Sequence, residues 1–78
     1  MTPSEPLPVE LSSTLLVRAT FDARQSILQL EFRDGAVYRY FQVPEALYQN
    51  LLSAASHGAS FNYTIRGRFP HRQIRPPR

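Results

Sequence analysis

Apolar and polar residues form three successive strand-like stretches in the chain, at residues 14–21, 27–32 and 36–43. The first two stretches alternate with the two-residue period of a half-buried strand, and the third is rich in β-branched and aromatic residues. Short polar turns separate them, and sequential strands joined by short turns normally pair with each other. The pattern therefore predicts a three-stranded antiparallel β-meander. Its inner face is expected to carry Leu15, Val17, Ala19 and Phe21 from the first strand and Leu28, Leu30 and Phe32 from the second.

The turn around Gly35 decides which face of the third strand meets the core, because a slip of one residue exchanges the two faces. If Asp34 and Gly35 are the central residues of a type I′ turn, Tyr38 and Tyr40 point away from the leucines. If Arg33 and Asp34 form a type I turn with Gly35 as a left-handed bulge, both tyrosines join the leucine face. The second register is favoured because that face is already apolar. The outer face then presents Arg18, Thr20, Gln29, Glu31 and Arg39, mixed with Ile27, Val37 and Phe41.

After the third strand, apolar residues recur at helical spacing and predict a helix. Pro44 suits the first helical position, and Glu45 suits the positive end of the helix dipole. This main helix is expected to pack on one face of the sheet and to end at Gly58. A short second helix is favoured beyond it, with Ser60 as its N-cap and Gly67 just past its end. The apolar residues at helical spacing in the main helix are Leu47, Tyr48, Leu51, Leu52 and Ala55.

The two ends of the chain are expected to lie outside the folded part. Residues 1–10 contain three prolines and no apolar periodicity, which is typical of a disordered leader. Residues 70–78 carry three prolines among arginines, and proline removes backbone donors and blocks helix continuation. The sequence thus predicts one α+β domain over residues 11–69, followed by a loose basic tail.

Composition excludes several classes of protein. The chain has no cysteine and two histidines, so neither a disulfide nor a four-ligand structural zinc site is expected, and no cofactor is predicted. Charged residues interrupt every hydrophobic run, which argues against a membrane span and a membrane partner. The first ten residues lack the basic and apolar regions of a signal peptide, so a cytoplasmic location is expected.

Charge is distributed unevenly along the chain. Residues 1–45 carry four arginines and six acids, a net charge of 4 − 6 = −2, whereas residues 46–78 carry five arginines and no acid, a net charge of +5. A local cation of this kind attracts phosphate-bearing or acidic partners. RNA is one candidate partner, and a second protein or a second copy of this chain is the other.

The ordered motifs of the chain resemble the KTSC domain family, which takes its name from the C-terminal domain of some lysyl-tRNA synthetases. The resemblance covers about residues 14–70. It implies an α+β fold and, through the synthetase association, a role in binding RNA, although the family itself has no established function. The motifs that carry it are Tyr38-x-Tyr40, Val43-Pro44, Ser56-His57-Gly58, Phe61-Asn62 and Ile65-Arg66.

No catalytic site is predicted, because the sequence shows neither a nucleophile beside a base nor two carboxylates placed to face one cleft. Guanidinium groups pair with phosphate, and aromatic rings on a sheet face stack on unpaired bases. For Tyr38 and Tyr40, core packing against the helix is the favoured interpretation, and base stacking is the alternative. The function favoured is a non-catalytic RNA-binding module, and the alternative is a protein-interaction or assembly module, such as a homodimer, without nucleic acid. The candidate RNA-binding residues are Arg18, Arg39, Arg66, Arg68, Arg72, Arg75, Arg78, Tyr38 and Tyr40.

Overall fold

Five strands and two helices make up the computed structural model, which describes residues 6–78. All neighbouring strands are antiparallel, and their order in the sheet is their order in the chain. The α+β class is therefore confirmed. The elements are β1 (Val9–Glu10), β2 (Leu16–Asp22), β3 (Ile27–Phe32), β4 (Val37–Tyr40), α1 (Glu45–Ser53), α2 (His57–Thr64) and β5 (His71–Arg75).

The sheet has five strands, so the prediction of three was wrong in number. The three predicted strands are present and paired as expected, but β1 and β5 extend the sheet at its two edges. Both edge strands come from segments that were predicted to lack regular structure. The prolines of the C-terminal segment flank β5 without interrupting it, and its five residues pair with β4. Of the predicted leader, residues 1–5 lie outside the described residues.

The β3–β4 turn adopts the favoured register. Tyr38 lies opposite Leu30, and Tyr40 opposite Leu28, so both tyrosines lie on the leucine face. The backbone N–H of Phe32 donates to the carbonyl of Ala36 at 2.8 Å. Gly35 has a φ of 95°, the left-handed conformation that a bulge requires of its glycine.

A β-bulge changes the alternation predicted for β2. The pairing with β3 shifts between Leu16 and Arg18. An extra residue in one strand of a pair shifts all the side chains on one side of it to the other face. Strict alternation with Leu15 and Val17 would place Leu16 on the outer face, but Leu16 is fully buried, whereas Ala19 is buried as predicted.

The helices begin and end at other residues than predicted. β4 ends at Tyr40 rather than at residue 43, and α1 ends at Ser53 instead of continuing to Gly58. The Ser56 hydroxyl accepts a hydrogen bond from the backbone N–H of Ala59 at 3.2 Å, which starts α2 one turn earlier than the predicted cap at Ser60.

Both helices lie over one side of the sheet, which we call the inner face. Tyr48 of α1 stacks on Phe21 of β2 with ring centroids 4.8 Å apart. Phe61 of α2 makes edge contacts with Phe32 and Tyr40 at 5.4 and 5.7 Å. The other sheet face, here the outer face, is left without a helix among residues 6–78. The core cluster consists of Leu11, Leu16, Ala19, Leu28, Leu30, Tyr40, Val43, Tyr48, Leu51, Phe61 and Ile65.

Candidate functional site

Two arginines face each other on the outer face. Arg39 of β4 and Arg72 of β5 are paired positions on neighbouring strands, and both are exposed. Side chains directly opposite each other in an antiparallel pair have Cβ atoms about 4.5 to 5.5 Å apart, and like charges in such positions repel. β4 and β5 therefore place two positive charges side by side, on the face that carries no helix.

The other two arginines of this face are engaged by carboxylates. Arg18 donates to Glu31 at 2.7 Å and lies 3.6 Å from a carboxylate oxygen of Glu10. Arg75 lies 3.8 Å from the second oxygen of Glu31 and also donates to the carbonyl of Gly35 at 2.8 Å. Glu31 thus bridges Arg18 and Arg75, which leaves less of their charge for an external anion.

Arg39 and Arg72 have no such compensation within the described part of the chain. Arg39 donates through Nε to the amide oxygen of Gln29 at 2.9 Å, which is a neutral partner. Among residues 6–78, every ion pair involves Arg18 or Arg75. The Arg39–Arg72 pair is therefore the part of the outer face best suited to accept an anion.

On the opposite side of β4 and β5, an open cleft of about 460 Å³ enters the inner face beside α2. We call it the aromatic cleft. Its volume lies in the range of roughly 300 to 1,000 Å³ that is usual for small-ligand sites. Six of the residues that line it are Phe32, Tyr38, Tyr40, Phe61, Arg66 and His71.

The aromatic rings of the cleft are in mutual contact. Tyr38 and Tyr40 stack with centroids 6.3 Å apart, and the ring of His71 lies 5.9 and 5.6 Å from them. Tyr40 is only 6% exposed, so its ring belongs to the core, as the core-packing interpretation predicted. Tyr38 is partly exposed and His71 is exposed. These two rings therefore offer the surface on which a planar group could stack.

Burial controls the ionisation of the deeper tyrosine. Burial is the largest cause and the neighbouring Tyr38 acts in the same direction, so that, against the lowering effect of the positive charge of Arg66, the pKa of Tyr40 is raised from 10.0 to about 12. The Tyr40 hydroxyl is therefore protonated at neutral pH. It offers a hydrogen-bond donor to the cleft and no negative charge.

Of the remaining candidates, Arg66 lines the cleft, whereas Arg68 and Arg78 lie in the segments before and after β5. Arg66 follows α2 and donates to the side-chain oxygen of Asn62 at 3.4 Å. Arg68 is exposed in the turns that precede β5. The backbone N–H of Arg78 donates to the carbonyl of Asp34 at 2.8 Å. The structure thus places four of the seven predicted arginines on the outer face and one, Arg66, at the cleft on the other side of β4 and β5.

The candidate residues predicted from the sequence did not include His71 and Gln73. Gln73 donates through Nε2 to the Tyr38 hydroxyl at 3.1 Å, and His71 contacts both cleft tyrosines. Both residues lie in β5, the strand that was interpreted as a loose tail. A proline-free stretch of five residues between Pro70 and Pro76 was the available signal for it.

Within residues 6–78, no three histidine or acidic side chains gather closely enough to hold a metal ion. No described helix has the length and apolar character that crossing a membrane requires.

The fold and the site define a small α+β domain, a five-stranded antiparallel meander with exposed arginines on one face and an aromatic cleft on the other. Residues 12–69 match the profile of the KTSC domain. A crystal structure of a KTSC domain protein from Yersinia pestis superposes with a TM-score of 0.85 at 33% identity, covering 88% of this chain and 97% of that one. The chain therefore belongs to the KTSC domain family.

Relatives occur both as small proteins and within ligases. An uncharacterised protein of Stutzerimonas stutzeri is 43% identical over 58 residues, which cover 74% of this chain and 82% of that protein. A lysine–tRNA ligase of Nostoc punctiforme is 33% identical over 61 residues, which cover 78% of this chain but 11% of the ligase. The chain thus spans about a tenth of that ligase, and the similarity says nothing about the rest of the enzyme.

Proposed function

We propose that this chain is a non-catalytic module that binds single-stranded RNA. The Arg39–Arg72 pair carries the proposal, since two opposed cations without a carboxylate partner among the described residues repel each other until an anion lies between them. Guanidinium groups pair with phosphate in a bidentate geometry, and phosphates recur along RNA at short, regular intervals.

The ligase relatives add a second line of support. A domain similar to this chain is part of a protein named for its action on tRNA. Fold similarity alone does not transfer a function, so this support is associative. The arginine pair supports the proposal through the chemistry of this chain's own residues.

A matched pair of charge-removing variants tests the proposal. Arg72→Gln removes one cation of the pair, and Arg24→Gln removes one exposed cation from the β2–β3 turn, so both variants have the same net charge. Fluorescence anisotropy with a short labelled RNA, measured over a series of salt concentrations, gives affinity and salt slope. Each phosphate contact contributes about 0.7 to the slope of log K against log salt for a single strand. We therefore expect Arg72→Gln to weaken binding and to flatten the slope by about 0.7, and Arg24→Gln to leave both unchanged.

Two results would contradict this expectation. Equal effects of both variants would show that only overall charge matters, and would remove the arginine pair from the site. The absence of salt-sensitive binding to any RNA at micromolar concentration would overturn RNA binding itself.

The free edge of β5 favours a second candidate, a protein-interaction or homodimeric assembly module. β5 pairs with β4 on one side and with no other described strand, and its Ile74 is 43% exposed. An unpaired edge of this kind is a template for a strand from another chain. A stable dimer in sedimentation velocity, together with a purified protein free of nucleic acid, would favour assembly over RNA.

A further inference from the structure

We infer that the aromatic cleft receives one unpaired nucleobase of the strand whose phosphates contact Arg39 and Arg72. This inference rests on the proposed function, and it gives the bound RNA a second contact with the protein besides the arginine pair. The cleft combines exposed ring surface, a free hydrogen-bond donor and a cation, which are the three features that a base with its phosphate requires.

One free donor of the cleft is the Tyr40 hydroxyl. Its ring is buried, yet among residues 6–78 the hydroxyl has no hydrogen-bond partner. No fully buried side-chain nitrogen or oxygen of the described residues lacks a partner. The hydroxyl must therefore reach solvent, and the space it can reach is the cleft that Tyr40 lines. A carbonyl oxygen or ring nitrogen of a base could accept a hydrogen bond from this hydroxyl.

The ring surface comes from Tyr38 and His71, the two cleft aromatics that keep exposed area. Stacking on such rings tolerates any base, because every base has a π-face. Arg66 lies close enough to affect the ionisation of Tyr40 and lines the same cleft, so its guanidinium can contact the phosphate beside an inserted base. Gly67, next to it on the rim, has open space where a side chain would project.

β5 connects the cleft with the arginine pair. His71 and Gln73 contact the cleft tyrosines, whereas Arg72, which lies between them in the chain, faces Arg39 on the outer face. Successive side chains of a strand point to opposite faces, so one edge strand presents both sets of contacts. An RNA strand that crosses this edge can place phosphates on the outer face and a base in the cleft.

The test compares two labelled oligomers of equal length and phosphate number, a uridine homopolymer and the same backbone without bases, with the full chain. Stacking adds about 1 to 3 kcal/mol per base, so the abasic oligomer should bind about fivefold to a hundredfold more weakly. The salt slopes of the two should agree, since the phosphate contacts are unchanged.

The Tyr40→Phe variant tests whether the base lies in the cleft. The variant keeps the buried ring and removes only the hydroxyl, so it should fold and should bind the uridine oligomer about two- to tenfold more weakly, with abasic binding unchanged. Tyr63→Phe is the matched control, because Tyr63 is 77% exposed and does not line the cleft. Thermal unfolding of both variants verifies that they fold.

The outcomes separate the two proposals. Equal salt-sensitive affinity for both oligomers overturns the cleft inference and leaves RNA binding in place. A weaker abasic oligomer combined with a Tyr40→Phe variant that binds like wild type places the base elsewhere and likewise overturns the inference. If neither oligomer binds, the proposed function and the inference fail together.

Discussion

At the scale of single residues, Tyr40 combines two roles that usually fall to different side chains. Its ring contacts Phe61 of α2 and stacks with Tyr38, and it is one of the buried core residues. A buried tyrosine normally finds a partner for its hydroxyl, but this hydroxyl has none among the described residues. The aromatic cleft is thus built on a core residue, which fixes the position of the hydroxyl donor that Tyr40 offers to it.

The raised pKa of Tyr40 predicts a loss of stability at alkaline pH. Because the folded chain holds the proton more tightly, with a pKa of about 12 against 10.0, the stabilisation is complete below pH 10 and is lost as the pH rises towards 12. Urea unfolding at a series of alkaline pH values should show a smaller decline for Tyr40→Phe than for wild type. Burial also raises the pKa of Tyr48, but in both proteins, so the difference isolates Tyr40. Identical pH dependence of the two proteins would contradict the assignment.

Gly35 provides a second test at this scale. Its φ of 95° is strained for any residue with a side chain, and a Cβ there would approach Cγ of Arg78 to 2.5 Å. Gly35→Ala should therefore lower the free energy of unfolding by about 1 to 3 kcal/mol. In the double variant with Arg78→Ala, the loss of stability caused by the clash with the Arg78 side chain should disappear, and the loss caused by backbone strain should remain. Gly67→Ala is the control for φ alone, since Gly67 has a φ of 74° and no atom within contact of a Cβ. A Gly35→Ala variant as stable as wild type would exclude the bulge.

At the scale of elements, β5 is expected to stabilise the sheet through its pairing with β4, and not to be a loose extension of the fold. Deleting residues 70–78 removes β5 together with its pairing to β4 and the contact of Arg75 with Gly35. We expect a lower melting temperature and faster amide exchange in β4, because its N–H and C=O groups lose their partners. Deleting only residues 76–78 leaves β5 in place and serves as the control. Unchanged β4 protection after the longer deletion would show that β5 contributes little to the fold.

The sequence predicted those elements whose side chains alternate between core and solvent. β3 has strict alternation, and Gly35 supplied the turn chemistry that set the register of Tyr38 and Tyr40. β5 was missed because all five of its residues are exposed. A strand without a buried side shows no alternation of apolar and polar residues in its sequence. The bulge in β2 adds a residue without a special sequence signal, which is why strict alternation fails at Leu16.

The helix boundary and the arrangement of the candidate site could not be predicted from the sequence, for related reasons. Ser53, Ser56 and Ser60 are all residues that cap helices well, and local preference does not say which one the packing selects. The arginines were recognised from composition, but their division between two sides of the sheet depends on the pairing of β5. The Arg39–Arg72 pair joins residues from two segments, and no pattern within either segment shows it.

At the scale of the whole molecule, folding redistributes the uneven charge of the sequence. The acids all lie in residues 1–45, and β5 brings the C-terminal arginines back beside them. Glu31 then forms ion pairs with both Arg75 and Arg18, while Arg39 and Arg72 have no carboxylate partner among the described residues. A diffuse cationic segment thereby becomes a localised pair of cations, which is the arrangement that the proposed phosphate recognition requires.

The pairing of β5 with β4 also has a consequence for how the chain folds. β2, β3 and β4 are joined by short turns, so their contacts are local in sequence, whereas β5 meets β4 only after residues 41–70 have been placed. Contacts distant in sequence require a costlier loop closure and tend to form later. The three central strands and the helices should therefore reach the native arrangement before β5 docks, and the arginine pair is completed only in that last step. A nascent or partly opened chain would hold the core tyrosines in place while lacking the Arg39–Arg72 surface.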